Sequence, residues 1–355
     1  MKTALIFGVS GQDGSYLAEF LISKGYRIIG IIRHNSSNEI PSRLKSIISN
    51  NKKQLILKYG DITDTSFIYN IINENKIDEI YNLAAQSHVG LSFEIPLYTM
   101  EVDAKGTLNI LEAIRYSKKD IKYYQASTSE LFGGLPNSNF QNENTMFYPK
   151  SPYATAKLYA YWITVNYRES YNIFACNGIL FNHESPRRGK NFVTRKITKG
   201  IAEILNGKKE KISLGNIYSL RDWGYSKDYV EGMWLMLQQE TPDDYVLATS
   251  ECHTIKEFIE IAFSYIGISI QWQGKGLDEK GYDKETKRLL IDINPDLFRP
   301  NEVMRLCGDY SKAKQNLGWE PTTKFKQLVY LMLESDLKNE MGVTIGEYNK
   351  NGKKF

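Results

Sequence analysis

Residues 3–14 read Thr3-Ala-Leu-Ile-Phe7-Gly8-Val-Ser-Gly11-Gln12-Asp13-Gly14, and this stretch decides the fold. A short apolar run leads into glycines at a three-residue spacing, and these lead into the amphipathic run Ser15-Tyr-Leu-Ala-Glu-Phe-Leu-Ile22. That order spells strand, tight turn and helix, with backbone amides and a helix N-terminus turned toward a pyrophosphate. A plain glycine turn needs neither the strand before it nor the helix after it. Gly8, Gly11, Gln12, Asp13 and Gly14 are therefore candidates for holding a dinucleotide.

Outward from this turn, Tyr26-Arg-Ile-Ile-Gly-Ile-Ile32 closes a first βαβ unit and ends in Arg33-His34-Asn35-Ser36-Ser37. An acidic residue for the ribose hydroxyls of NAD is missing there. An Arg with amide and hydroxyl neighbours suits a 2′-phosphate, so NADP is expected, held by Arg33, Asn35 and Ser36. The competing reading is that Arg33 is a solvated cation at a strand end. Further apolar runs, Gln54–Tyr59, Glu79–Ala84, Ile121–Ala126 and Phe174–Phe181, alternate with helical patterns.

Such alternation predicts an α/β fold: a Rossmann-type doubly wound parallel sheet with function at the strands' carboxyl ends. A smaller mixed α/β carboxy-terminal substrate domain is expected to follow. The predicted boundaries are 1–180 for the dinucleotide domain and 181–340 for the substrate domain, with the chain crossing back to the first sheet. A flexible polar tail is predicted for 341–355. Polar residues follow each strand: Asp61 and Ile62, whose carboxylate can meet an adenine amino group, and Leu83-Ala84-Ala85-Gln86-Ser87-His88, small enough for close approach to a cofactor.

Tyr153 and Lys157 are spaced to share one helix face, where an ammonium lowers a phenol's pKa and makes it a usable base near neutral pH. Alone the spacing is weak, because the chain holds 24 Tyr. Ser127-Thr128-Ser129-Glu130 ends a predicted strand just ahead of it. A second reading makes Glu130 a helix-start carboxylate that complements the dipole.

The composition fits a globular enzyme, with 42% hydrophobic and 24% charged residues. Its 45 basic and 41 acidic residues give a net charge of +4, spread along the chain, and argue against nucleic acid and membrane as partners. Cys176, Cys252 and Cys307 lack metal-ligand spacing and are read as reduced structural residues of a cytoplasmic protein; no metal is expected. No apolar run approaches the ~20 residues of a membrane span.

Four segments together resemble the GDP-mannose 4,6-dehydratase family of the extended short-chain dehydrogenase/reductases. They are Gly8 to Gly14, Gln125-Ala-Ser-Thr-Ser-Glu-Leu-Phe-Gly133, Ser151-Pro-Tyr-Ala-Thr-Ala-Lys157 and Asn182-His-Glu-Ser-Pro-Arg-Arg-Gly189. The resemblance runs from about Lys2 to about Leu337. It implies a lyase of nucleotide-sugar metabolism, serving polysaccharide biosynthesis, that moves a hydride from C4 to C6 of the hexose through bound NADP and releases water. Tyr153 would deprotonate the C4 hydroxyl, Thr128 would hydrogen-bond the oxygen, Lys157 would hold the nicotinamide ribose, and Glu130 would work at C5 and C6. Tyr98, His183 and Arg188 would complete the cofactor site. Ser87, His88, Ser129, Asn182, Val193, Lys196, Arg221, Arg299 and Glu302 would line the sugar-nucleotide site. The resemblance further implies a homodimer or homotetramer.

Departures from the family pattern include His34 after Arg33, Met146, Thr155 and Gly90-Leu91. They leave open a larger substrate, GDP-D-glycero-D-manno-heptose. An NADP-dependent sugar-nucleotide 4-epimerase or reductase, which needs Tyr153 and Lys157 but no carboxylate at C5, and a non-catalytic scaffold are the alternatives.

Overall fold

The strand Thr3–Phe7 (β1) is buried at every position rather than on alternate ones, the mark of a parallel strand covered by helices on both faces. In the computed structural model, which describes residues 1–34, 39–51, 53–134 and 139–350, β1 is central. It lies between Arg27–Ile32 (β2) and Glu79–Asn82 (β4). Leu55–Tyr59 (β3) flanks β2, and on the other side follow Lys122–Ala126 (β5) and Ala175–Leu180 (β6). Adjacent strands run parallel throughout, and the order reverses between β1 and β4. In such sheets the crevice for ligands opens at that reversal, beyond the carboxyl ends. The expected doubly wound parallel sheet is borne out.

Apolar side chains fill both faces. Leu17 and Leu21 of helix Gln12–Ser23 pack with Ile6 and Ile28 on one side, and Ile110 and Ile114 of helix Gly106–Ser117 pack with Leu5 and Ile80 on the other. Each such side chain contributes roughly 1.5–3 kcal/mol by leaving water.

After β6 the chain forms Asn182–Glu184 (β7), Ile212–Leu214 (β8) and Leu220–Tyr225 (β9), then returns to the first sheet as Tyr245–Leu247 (β10), parallel to β6. Cys252–Thr254 (β11), Ile270–Gln273 (β12), Lys280–Asp283 (β13), Leu289–Ile293 (β14) and Arg305–Leu306 (β15) complete two four-stranded mixed sheets. A second core forms around Trp223, Phe258 and Phe325. β9 pairs with β7, β11 and β15 together, and so carries Arg221 to the mouth of the crevice.

Two expectations are corrected. Cys252 and Cys307 are paired as a disulfide with Cα atoms 5.7 Å apart, and only Cys176 is free. Their separation of 55 residues gave no sign of pairing until β11 and β15 folded beside β9. Within the segment read as a tail, Ile345–Lys350 is helical. The cause is a reciprocal cap: Thr344 N–H donates to Glu347 at 2.7 Å, and Glu347 N–H donates to Thr344 Oγ1 at 3.4 Å.

Candidate active site

The glycine turn has no room for side chains at two of its three glycines, Gly8 and Gly14. Gly8 has φ +80, which only glycine adopts without strain, and a Cβ there would stand 2.8 Å from the Ala84 nitrogen and the Leu83 carbonyl carbon. A Cβ on Gly14 would meet the Gly8 carbonyl oxygen at 2.2 Å. Gly11 is the N-cap and offers no side-chain acceptor, so the first amides of the helix remain for an anion.

Gln12, Asp13 and His183 are joined to one another beside this turn. The Gln12 side-chain amide donates to His183 O and to Asp13, and its carbonyl accepts from Ser185. Asp13 accepts from Ser226 at 2.7 Å and meets His183 Nε2 at 2.9 Å. His183 Nδ1 faces Phe181 O at 2.7 Å. With an acceptor opposite each ring nitrogen, imidazolium is the favoured form. Burial works against it, yet Asp13 prevails and raises the His183 pKa, while His183 holds Asp13 well below the usual carboxylate range.

Among the other expected cofactor residues, Arg33 donates to Tyr98 Oη at 2.6 Å, so β2 and the helix Pro96–Met100 meet above the sheet's end. Asn35 and Ser36 lie outside the described residues. Asp61 is taken up by Thr63, whose N–H and hydroxyl both donate to it. Ile62 is buried against Gly106. Leu83 and Ala84 floor the turn at Gly8, and Gln86 fixes the next loop by exchanging hydrogen bonds with His88. Arg188 pairs with Glu184 at 3.1 Å and covers the Phe192 ring.

The residues expected to react meet where β5 ends. Thr128 caps the short turn Ser129–Phe132, accepting the Glu130 N–H at 3.2 Å. Its hydroxyl also acts on Tyr153, favouring the phenolate. Ser151 caps the helix Pro152–Tyr171 by accepting the Ala154 N–H, which sets Tyr153 and Lys157 one turn apart over the crevice. Thr128, Glu130, Tyr153 and Lys157 are all buried.

Their electrostatics differ from the expectation in one respect. Burial, then Asp103 and Glu130, raise the Tyr153 phenol, against the Thr128 hydroxyl and Arg188. The Lys157 ammonium donates to Ala126 O at 3.1 Å. Burial also lowers Lys157, with Asp103 opposing. The protein's own groups thus leave the phenol protonated at neutral pH.

On the far side, Arg299 reaches Glu130 at 3.4 Å, and Arg221 reaches Glu302 at 3.6 Å. Burial lowers the Arg221 pKa, and Glu130 opposes it. His88 Nδ1 accepts the Leu91 N–H at 3.0 Å, which leaves Nε2 as the donor. Burial, then Arg299 and Lys196, lower its pKa. Val193 and Lys196 lie on helix Val193–Leu205, and Asn182 opens β7. Ser129 is buried beside Glu130. For Ser87 the structure adds no side-chain hydrogen bond.

Two residues escaped the sequence reading. Arg43 donates to Ser10 O at 3.2 Å and to Arg187 O at 2.8 Å, clamping the glycine turn. Asp103 sits in a π-helical turn at Glu101–Lys105. Its sequence surroundings, Glu101-Val-Asp103-Ala-Lys105, carry no signal that sets it apart from its charged neighbours.

The sequence model of GDP-mannose 4,6 dehydratase matches residues 5–332. A relative described as GDP-mannose 4,6 dehydratase from Drosophila melanogaster is 54% identical over 95% of this chain and 86% of its own. Its Vibrio cholerae counterpart is 52% identical over 95% of this chain and 94% of its own. A UDP-glucose 4-epimerase from Thermotoga maritima superposes with a TM-score of 0.77 at 22% identity, over 98% and 99% of the two chains. A dTDP-glucose 4,6-dehydratase from Bacillus anthracis does so at 0.76 and 21%, over 99% and 97%. These two establish the fold; the sequence matches establish more. The chain belongs to the GDP-mannose 4,6-dehydratase family.

Proposed function

We propose that this chain is a hydro-lyase that converts GDP-mannose to its 4-keto-6-deoxy derivative, with NADP as the internal hydride carrier. The observation that carries the reading is a carboxylate, Glu130, held between Tyr153 and Arg299 at the carboxyl end of β5. A simple oxidoreductase or 4-epimerase has no use for a carboxylate at that place.

The C5 proton of a hexose is not acidic until C4 is a ketone. Tyr153 accepts the C4 hydroxyl proton as the C4 hydride departs, and Thr128 donates a hydrogen bond to the oxygen. Glu130 then takes the C5 proton and returns it to the C6 hydroxyl, which leaves as water. With the hydride returned to C6 and the proton held by Tyr153 passed to C5, the substrate would lose one water with no net oxidation. When bound, NADP would supply the hydride acceptor and, in its oxidised form, a positive charge. A positive charge favours the phenolate, the form in which Tyr153 can accept a proton, and would so offset the groups of the protein that hold it protonated.

The turn at Gly8 and Gly14, which a Cβ would fill, fits a pyrophosphate. Arg33 beside Tyr98 favours NADP over NAD. We assign the part of the chain around the first sheet to the cofactor and the part carrying Arg221 and Arg299 to the GDP-sugar. A planar guanidinium binds two phosphate oxygens at once. We further propose a cytoplasmic homodimer or homotetramer. Leu97, Met100, Tyr159 and Trp162 are large apolar side chains exposed on its helices. No helix among the described residues is long and apolar enough to cross a membrane.

The test is mass spectrometry of the product formed from GDP-mannose without added reductant. Loss of one water supports the reading, and a product of unchanged mass overturns it.

A further inference from the structure

Arg195 and Asp336 form a buried ion pair that the reaction as written does not use; they are 7% and 1% exposed. Arg195 lies on helix Val193–Leu205 and Asp336 on the last long helix, Phe325–Met341. The two helices share the second core through Ile197, Ile201, Met332 and Leu333. One edge of the guanidinium takes the carboxylate: Nε donates to Oδ1 and Oδ2 at 3.0 and 2.8 Å, and Nη2 donates to Oδ1 at 2.6 Å. Thr198 Oγ1 adds a further donor to Oδ2 at 2.7 Å. A buried pair of this kind adds little net stability, because desolvation offsets the attraction. What it fixes is direction.

A guanidinium is planar, so an edge held by Asp336 points the remaining Nη1 one way. Nη1 donates to the carbonyls of Pro186 and Arg188, the latter at 3.2 Å. Both belong to the turn Ser185–Arg188, which the Arg188 N–H closes on Ser185 O at 3.0 Å. On its other side this turn is bonded toward the glycine turn: Ser185 donates to Gln12, and Arg187 O accepts from Arg43, which also holds Ser10 O. Arg188 depends on that support. Its Nε is buried without a hydrogen-bond partner among the described residues, although Glu184 Oε2 lies 3.1 Å away, so their ion pair is misaligned. The Arg188 side chain is placed instead by its own backbone and by the Phe192 ring, whose centre is 3.8 Å from the guanidinium.

We propose that Arg195, anchored by Asp336, is a positioning residue of the cofactor site: it fixes the carbonyls of Pro186 and Arg188 and so sets the Arg188 guanidinium where it meets bound NADP. The proposal rests on the reading of Arg188 as a cofactor residue. It makes the helix Phe325–Met341 a determinant of dinucleotide affinity through two linked side chains.

Arg195→Lys keeps a cation opposite Asp336 but not the planar fork, so one ammonium cannot span the carboxylate and both carbonyls. Calorimetric titration should show NADP bound about tenfold more weakly and GDP bound within about twofold of wild type. The deciding readout is the double-mutant cycle with Arg188→Ala. If Arg195 acts through Arg188, Arg195→Lys should weaken NADP by less than about twofold in the Arg188→Ala background. An equal loss for GDP, or the same NADP factor in both backgrounds, would mark a loosened fold and overturn the proposal.

Should Arg195→Lys fail to fold, the paired variant Arg195→Gln with Asp336→Asn leaves no unpaired charge in the core and is carried through the same cycle with the same two outcomes. If Arg188→Ala alone binds NADP as wild type does, the reading of Arg188 as a cofactor residue fails, and the proposal with it. If Arg188→Ala weakens NADP while Arg195→Lys alone does not, only the role of Arg195 fails. The product mass from GDP-mannose tests the proposed reaction separately from both.

Discussion

The guanidinium of Arg299 lies 3.4 Å from the carboxylate of Glu130, although 169 residues separate them in the chain. The pair spans the crevice between the end of β5 and the loop before β15, and so ties the proposed acid/base group to a proposed phosphate-binding group. Arg299→Ala removes a charge-assisted hydrogen bond of about 1.5–3 kcal/mol, and KM for GDP-mannose should rise roughly 10–100-fold. Arg299→Lys should recover only part of this, because an ammonium is not a planar fork. Steady-state kinetics decide it; an unchanged KM in the Ala variant removes Arg299 from the substrate site.

Glu130→Gln separates oxidation from elimination. On mixing with GDP-mannose it should still show a burst of reduced-nicotinamide absorbance, while release of dehydrated sugar falls by about 10²–10⁴. Tyr153→Phe should show neither burst nor product. Undiminished dehydration by the Gln variant would take Glu130 out of the chemistry.

The Asp13–His183 pair predicts a pH window of stability. His183 is raised above 6.5, so its contribution is complete below 6.5 and lost as pH rises through the raised value. Asp13 is lowered from 3.8, so its contribution is present above 3.8 and lost as pH falls through the lowered value. His183→Gln leaves Asp13 buried without its charge partner, at a cost of roughly 3 kcal/mol. Its melting temperature should lie several degrees below wild type near pH 6, and the gap should narrow as pH rises. A gap that is constant with pH would mean that the imidazole is neutral throughout.

Arg33→Ala tests the cofactor preference. Loss of one charged contact to a 2′-phosphate should weaken NADP about tenfold or more and leave NAD within about twofold. Fluorescence titration with each dinucleotide measures both affinities, and equal losses would assign Arg33 a structural role through Tyr98.

Gly14→Ala places a Cβ 2.2 Å from the Gly8 carbonyl oxygen, with backbone on the other side of the clash. The turn must shift, so dinucleotide binding should fall by an order of magnitude or more while circular dichroism of the sheet and helices is retained. Wild-type affinity in this variant would refute the cradle.

The local sequence determined the elements and their order. Glycine spacing between an apolar run and an amphipathic one, and strand after strand of unalternated apolar residues, reflect backbone sterics and burial within a few residues of each other. The same holds for Tyr153 and Lys157 on one helix face, and for Thr128 capping the turn that presents Glu130. The cap at Thr344 was equally local and legible, although the segment was read as a tail.

Tertiary structure alone decided what depends on distance and burial. It joined Gln12 and Asp13 to His183, because β7 runs beside the first turn of the helix Gln12–Ser23. It paired Cys252 with Cys307 across β-strands, brought Arg299 to Glu130, and buried Asp103 in a π-helical turn. It also reversed the expected sign at Tyr153: a spacing can place an ammonium one turn from a phenol, but burial and neighbouring charges set the proton affinity, and those belong to the folded surroundings.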